Sequence, residues 1–386
     1  MIPLKYNVRN LRVRWVTTSL TVLATGLVVW SSCILFGWVE GLQHTMNVSG
    51  DPLDLIVLRK GSTNETNGGF SERQADDIAN LAGIARDEAG MPLVAKEMNY
   101  IALAERVDGS RTNIIVRGAV PASRKLRPKF EILPGGRDLV PGKNECLVSR
   151  SLSRRFKNAT LGGVLKVGEK ESFRVVGLFT AGGSASESEV WVDFKDLGRN
   201  LNREGYVSTV QLRATSTADL ERIKKTIDSD TQFKLSAQTE VAYYSTQSRE
   251  SLFFKFAGTV IAVLLTFGAM FAAANTMYAA VSSRSREIGT MRALGFSRFD
   301  ILVSFLFESV LLCALGGALG LLATVPLSYI TISTIVNFSE TMISFRLGPL
   351  VMTVALVMTL AMGVFGGLFP AIRAVRLDVV TALRQL

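Results

Sequence analysis

The stretch SRSREIGTMRALGFSRFDIL, residues 283–302, lies between two of the most apolar runs in the chain. It carries Arg284, Arg286, Arg292 and Arg298 against only Glu287 and Asp300. A polypeptide that leaves apolar surroundings for a short charged, helix-favouring segment and then returns is crossing a membrane boundary. Working outward, charge-poor runs occur at Thr17–Val39, Phe256–Val281, Leu302–Val325 and Leu350–Phe369. Each can cross about 30 Å of hydrocarbon as a helix. Their length and number exclude the buried core helices of a soluble protein.

Charge fixes the orientation. Residues 40–250 hold 30 Lys/Arg and 28 Asp/Glu, which is ordinary soluble-domain chemistry. The rest of the chain holds 13 basic and 5 acidic groups, so most of the net +10 belongs to its apolar parts. Three clusters account for it: Lys5, Arg9, Arg12 and Arg14; the 282–300 segment; and Arg373, Arg376 and Arg384 against Asp378. Four spans with both termini inside put all three clusters on the cytoplasmic face, as the positive-inside rule requires. Basic clusters beside spans are topology signals, and nucleic acid is not an expected partner.

We therefore expect four transmembrane helices with a large α+β extracytoplasmic domain inserted between the first and second. The divisions are an interfacial helix at 1–16, spans at 17–39, 251–281, 299–325 and 349–370, and the extracytoplasmic domain at 40–250. A cytoplasmic helix at 282–298, an extracytoplasmic link at 326–348 and a cytoplasmic tail at 371–386 complete the chain. Leu4, Val8, Leu11 and Trp15 form a helical stripe that suits the membrane interface and lipid headgroups. The first apolar run is longer than a signal-peptide core and has no small-x-small cleavage site, so it reads as an uncleaved anchor.

Within 40–250, LIVLRK reads as a strand, and Ser71 with Gln74 as a capping box opening a helix. YIALAERVDGSRTNIIVRGAV reads as a hairpin around Asp108-Gly109. Further strands are expected in KVGEKESFRVVGLF, SEVWVDF and STVQLRA, then a helix in TADLERIKKTID and extended chain in AQTEVAYYS. Alternation of strands and helices suggests an α+β domain with two lobes, and TAGGSASES at 180–188 a mobile loop.

Catalytic chemistry is missing. His44 is the single histidine, and the cysteines Cys33, Cys146 and Cys313 have no metal-ligand spacing. GVLKVGEK at 163–170 places Glu169 where a phosphate loop needs lysine. In GGSAS, Ser186 stands where a nucleophile elbow closes with glycine. No metal or cofactor is expected on this chain. Ionisable groups are also rare in the spans, which argues against an ion-driven carrier.

Gly316 with Gly320, and Gly363 with Gly367, are GxxxG pairs that permit close helix packing, within the chain or across a dimer. Arg284, Glu287, Ile288, Met291 and Leu294 fall roughly on one side of a short helix that Gly295 stops.

RSREIGTMRALGFSRFDIL resembles the R-x-x-E-I-G-x-x-[RK]-A-[LV]-G motif of FtsX-like, MacB-type permeases of ABC transporters. The tail FPAIRAVRLDVVTALRQL is similar to that family's closing P-A-x-R-A-x-x-L-x-P-x-x-A-L, with Val379 where the motif has proline. NVRNLRVRWVTTSLTVLA and ECLVSRSLSRRF with LGGVLKVGEKESFRVVGLF resemble its opening segment and part of its extracytoplasmic domain. The resemblance implies a permease working as a homo- or heterodimer beside a separate ATPase subunit, which would bind ATP and Mg. Glu287, Ile288, Gly289, Arg292, Ala293 and Gly295 match the coupling motif, with Arg284, Met291 and Leu294 beside them. Ile288 and Met291 are expected to supply buried contact with the ATPase, and Arg284, Glu287 and Arg292 polar contact. Pro370, Ala371, Arg373, Ala374 and Leu383 match the tail motif.

The resemblance further implies mechanotransmission, in which closure of the ATPases moves the outside domains through stiff spans in the inner membrane. Export or extraction of a lipoprotein, peptide, lipid or drug, with a possible periplasmic adaptor, is the first functional expectation. A non-transporting transmitter acting on a cell-wall hydrolase or a sensor is the alternative, and an anchored binding protein without an ATPase is the third.

Overall fold

The computed structural model describes residues 15–377 apart from 128, 169–170, 231–233, 248–249, 330 and 337–338. The expected stripe residues Leu4, Val8 and Leu11, and Leu383 of the tail motif, lie outside the described residues. The chain divides into a helical unit, 1–41 with 251–330 and 345–386, and a sheet unit, 42–250 with 331–344.

Four long helices dominate the helical unit: α1 (Trp15–Ser49), α6 (Glu250–Ser283), α8 (Arg298–Thr324) and α9 (Pro349–Val375). All four are long and apolar enough to span a membrane. The helix containing the expected first span does not stop at Val39. It has 35 residues, continuing through Gly26, Gly37 and Gly41 and free of proline, and Gly50 and Pro52 follow its end. α9 likewise runs through Pro370 to Val375, so Ala371, Arg373 and Ala374 of the expected tail are helical.

Close packing comes from the glycines. A Cβ on Gly316 would overlap the Thr25 hydroxyl and lie 2.7 Å from the Val22 carbonyl oxygen, and one on Gly320 would strike Gly26. On α9, a Cβ on Gly363 would lie 2.8 Å from Val310 Cα, and one on Gly367 2.5 Å from Ser309 Cβ. The first GxxxG pair thus seats α8 on α1, and the second seats α9 on α8. Both pairs serve packing within one chain. In lipid, where apolar surfaces gain little from meeting, this backbone approach is what holds helices together.

α9 begins at Gly348, which has no side chain to cap the helix. Glu40 of α1 supplies the carboxylate instead, accepting from the Val351 N–H at 3.3 Å, and leaves no room for a Cβ on Gly348. The negative charge meets the positive end of the helix dipole.

In the sheet unit, the strands are β1 (Asp54–Arg59), β2 (Phe70–Ser71), β3 (Val94–Glu105), β4 (Arg111–Ala119), β5 (Glu131–Ile132), β6 (Glu145–Ser149), β7 (Val164–Val167), β8 (Glu171–Thr180), β9 (Glu189–Asp193), β10 (Tyr206–Val207), β11 (Thr209–Arg213) and β12 (Leu235–Thr239). One continuous sheet runs β12-β1-β11-β3-β4-β9-β6-β8-β5, with β7 on β8. The path passes through β3, whose first residues, 94–97, pair with β11 and whose remainder, 98–105, pairs with β4. Three helices matter to its core: α2 (Glu72–Ala79), α3 (Phe194–Asn200) and α4 (Thr217–Ser229). α2 opens on the Ser71/Gln74 capping box, and Gly109 turns the β3–β4 hairpin with a φ of 82°. α4 buries Leu220, Ile223 and Ile227.

Three expectations change. AQTEVAYYS is half strand and half helix, because β12 ends at Thr239 and α5 (Glu240–Gln247) begins there, burying Tyr243 and Tyr244. The 180–188 loop is fastened rather than loose. Glu187 accepts from the Ala181 and Gly183 N–H groups, and Ser186 and Ser188 are buried. The 326–348 link holds a hairpin, β13 (Thr331–Val336) and β14 (Ser339–Ser344), that belongs to the sheet unit. Its Met342 joins the main core, and Glu340, 1% exposed, pairs with Arg106 at 2.7 Å and Arg155 at 3.2 Å.

Candidate coupling site

The sequence places its most specific motif between α6 and α8, where the chain forms a nine-residue helix, α7 (Ser285–Ala293). Its end is a Schellman turn: the Gly295 N–H donates to the Arg292 carbonyl at 3.2 Å and the Phe296 N–H to the Met291 carbonyl at 3.1 Å. Gly295 takes φ 94°, which a Cβ would resist. α8 restarts at once on Ser297, whose hydroxyl accepts from the Asp300 N–H while the Asp300 carboxylate accepts from the Ser297 N–H. Both ends of the turn are thus specified by local residues.

The faces of α7 differ from the expected single stripe. Ile288 is 1% exposed and packs with Met277, Val281, Ile301, Phe305 and Ala371, and Met291 is partly buried against the same cluster. Gly289 is buried too. Arg292 is half-buried and donates to the Val375 carbonyl at 3.4 Å. Glu287, Ala293 and Leu294 are exposed, Leu294 at 74%.

Arg284 stands apart. It is 7% exposed, and its Nη1 lies 2.9 Å from Glu308 of α8. The guanidinium sits 5.1 Å from the Phe305 ring centroid, and its Nε is 3.5 Å from exposed Glu287. Arg284 and Ile288, both expected to meet an ATPase, are buried within the helical unit, Arg284 against Glu308 and Ile288 in the apolar cluster. The exposed residues of this segment include Arg286, Glu287, Thr290, Ala293, Leu294, Arg298 and Phe299, the last 72% exposed. Phe299 and Glu308 were not singled out with the motif. A lone carboxylate in an otherwise uncharged span was the available signal for the second.

Pro370, Ala371 and Ala374 are buried in α9, Ala371 and Ala374 in the cluster that holds Ile288. Arg373 lies 5.6 Å from the Tyr278 ring centroid. The tail motif and the coupling motif thus share one packed layer.

The sheet unit holds a second polar cluster. Arg117, 2% exposed, bonds Glu189 through two nitrogens at 2.6 Å, Glu65 at 2.6 Å, and also Glu97. Burial pushes Glu97 up, but Arg127 and Arg117 overcome it and hold the carboxyl at about 2. Glu240, at the start of α5, accepts from the Asp51 N–H at 2.8 Å and from Gln211 Nε2 at 2.7 Å. Burial pushes it up to about 8. The Gly50 backbone lies close enough that a Cβ there would sit 3.1 Å from Val241 Cα. Glu240 therefore pins the end of α1 to α5 within the sheet unit. These carboxylates meet donors rather than one another, the pattern of a structural network, and no metal-binding group of His, Cys, Asp and Glu occurs among the described residues.

Comparison with known proteins places this geometry. Residues 18–230 match the MacB-like periplasmic core domain, and residues 259–379 the FtsX-like permease C-terminal region. The macrolide export ATP-binding/permease protein MacB of Bdellovibrio bacteriovorus is 25% identical over 309 residues, 70% of this chain and 44% of that protein. MacB of Bradyrhizobium diazoefficiens is 28% identical over 240 residues, 59% of this chain and 36% of that protein. The chain thus spans less than half the length of these MacB relatives. An uncharacterized ABC transporter permease of Methanocaldococcus jannaschii is 22% identical over 398 residues, 97% of this chain and 96% of that one. Among solved structures, the periplasmic region of MacB from Actinobacillus actinomycetemcomitans aligns with a TM-score of 0.39 at 9% identity, over 51% of this chain and 94% of that one. The extracellular domain of the transporter YknZ from Gram-positive bacteria aligns with a TM-score of 0.37 at 15% identity, over 48% of this chain and all of that one. This is a multi-pass membrane protein with an extracytoplasmic domain, and it belongs to the MacB-type, FtsX-like family of ABC transporter permeases.

Proposed function

We propose that this chain is the permease subunit of an ABC transporter and passes ATP-driven motion of a separate ATPase to its extracytoplasmic domain, for export or extraction of a cargo. The observation that carries this is the two-sided α7. Its inner side, Ile288 and Arg284, is built into the bundle, while Glu287, Thr290 and Leu294 stay open beside Phe299. Leu294 and Phe299 are exposed in a segment that also exposes Arg286, Glu287 and Arg298, and such a mixture of apolar and charged surface suits a protein partner. Both sides of α7 would then have work: one to receive a push, one to pass it on.

ATP and Mg would bind the partner, and catalysis would be the partner's. A second permease subunit is expected, and the exposed face of α6, with Phe253, Phe256, Leu264, Phe267 and Phe271, is open to it or to lipid. The cargo classes remain those of the sequence reading: lipoprotein, peptide, lipid or drug. The inner membrane, with both termini cytoplasmic, is the proposed location.

The test is co-expression with the cassette ATPase of the same host. Leu294→Asp with Thr290→Arg changes only exposed positions, so the chain should fold and insert as before. Loss of ATPase co-purification at unchanged membrane yield is expected. An intact complex would overturn the assignment of α7.

A further inference from the structure

We propose that Arg284 and Glu308 are a positioning pair that makes α7 and the third span move as one rigid body. Arg284, the first residue of the motif, would then act through Glu308 rather than on the ATPase. This rests on the reading of α7 as the docking helix, and it says how that helix is joined to the membrane.

The placement is deliberate in physical terms. Glu308 is ten residues into α8, roughly 15 Å along its axis. It is the single charge between Ile301 and Thr324. A carboxylate at that depth is costly unless it is paired. The pairing cation comes from 24 residues earlier, and both side chains are nearly buried, at 8% and 5% exposed. Phe305, three residues before Glu308, adds its ring face to the guanidinium. Glu287 lies at the rim, 56% exposed, close to the Arg284 Nε.

An apolar pair would fill the same space, and buried ion pairs often add no stability over apolar isosteres. What the pair adds is register. Apolar contacts in lipid slide at little cost, because the tails are as apolar as the side chains. Separating Arg284 from Glu308 instead breaks a charge-assisted contact in a low-dielectric site. A push on the outer face of α7 is then delivered to α8 without slack.

The test uses the full chain in nanodiscs with its cassette ATPase and spin labels at Ser285→Cys, half-buried on α7 and outside the proposed docking face, and Leu315→Cys, exposed on α8. Cys33, Cys146 and Cys313 are buried and should stay unlabelled. Wild type should give one narrow distance distribution, with and without trapped ATP. Arg284→Met, Glu308→Leu and the double Arg284→Met/Glu308→Leu should each broaden it at least twofold while the ATPase still co-purifies, and Arg284→Lys should restore most of the narrow distribution. A narrow distribution in the double apolar variant would overturn the proposal and reduce the pair to space filling. Failure of wild type to capture the ATPase would instead strike the reading of α7 as a docking helix, while the distance measurement would still decide whether the two helices move together.

Discussion

Replacing Glu240 by glutamine should reduce the pH dependence of the sheet unit's stability between about pH 5 and 8, to which the raised carboxyls of Glu65 and Asp54 add in the same direction. The carboxyl is buried, and burial lifts it from the ordinary 4.5 to about 8 against the pull of Arg127 and the Asp51 N–H. Asp54 and Glu65 push the same way as burial, and Arg213 and Tyr244 also feel its charge. Between the two values the folded chain keeps a proton that the unfolded chain has lost. Unfolding therefore releases that proton, and stability is highest at the acid end and falls as pH rises. Each pH unit is worth about 1.4 kcal/mol, so the whole interval from 4.5 to about 8 amounts to about 5 kcal/mol at most. The Gln211 amide can serve both states, donating to the carboxylate or, turned over, accepting from the acid. Glutamine at 240 copies the acid's shape without its titration. The assay is hydrogen exchange of the β1 and β11 amides in the intact protein, corrected for intrinsic exchange. Wild-type protection should fall with pH, up to tenfold per unit from Glu240 alone, and Glu240→Gln should lessen that fall. A wild-type profile that is flat, or an equal slope in both proteins, would refute the reasoning.

Other consequences follow from packing. Gly316→Ala places a Cβ on Thr25 and Val22, and should cost about 1–3 kcal/mol by overpacking, whereas Gly268→Ala meets nothing within 4 Å and should be neutral or slightly stabilising; thermal melts in detergent compare them. Glu340→Ala removes the carboxylate that holds partly exposed Arg106 and Arg155 and should cost about 1.5–3 kcal/mol, read as faster proteolysis of the 331–344 hairpin. Met342→Ala should loosen the same hairpin by about 2–5 kcal/mol, since its side chain is 4% exposed in the main core. Burial pushes the Cys146 thiol far up, so it should resist maleimide at pH 8 until the sheet unit is unfolded.

Much of this architecture is legible in the sequence because it is local. Charge-free runs give the spans, Ser71 with Gln74 starts α2, Asp108-Gly109 turns a hairpin, and Gly295 ends α7. What periodicity misplaces is the inward face of α7. A nine-residue helix offers two turns and a half, too few for a stripe to name its own buried side. Arg284, Ile288 and Leu294 looked like neighbours with one task, and they divide: two face the bundle and one faces out. Their division is set by Glu308, which lies beyond a glycine turn and inside another element. The hairpin at 331–344 escaped for a related reason. TISTIV is β-branched enough to suggest a strand and its partner β14 follows it directly, but its anchors, Arg106 and Arg155, come from far earlier in the chain. In both places an acidic side chain in surroundings that punish charge marks the join. Glu308 and Glu340 are two of only five acids outside residues 40–250, and Glu40, which caps α9, sits at that region's first position. In a chain like this one, each isolated carboxylate outside the soluble domain is best read as half of a contact, and the question to ask first is where its donor lies.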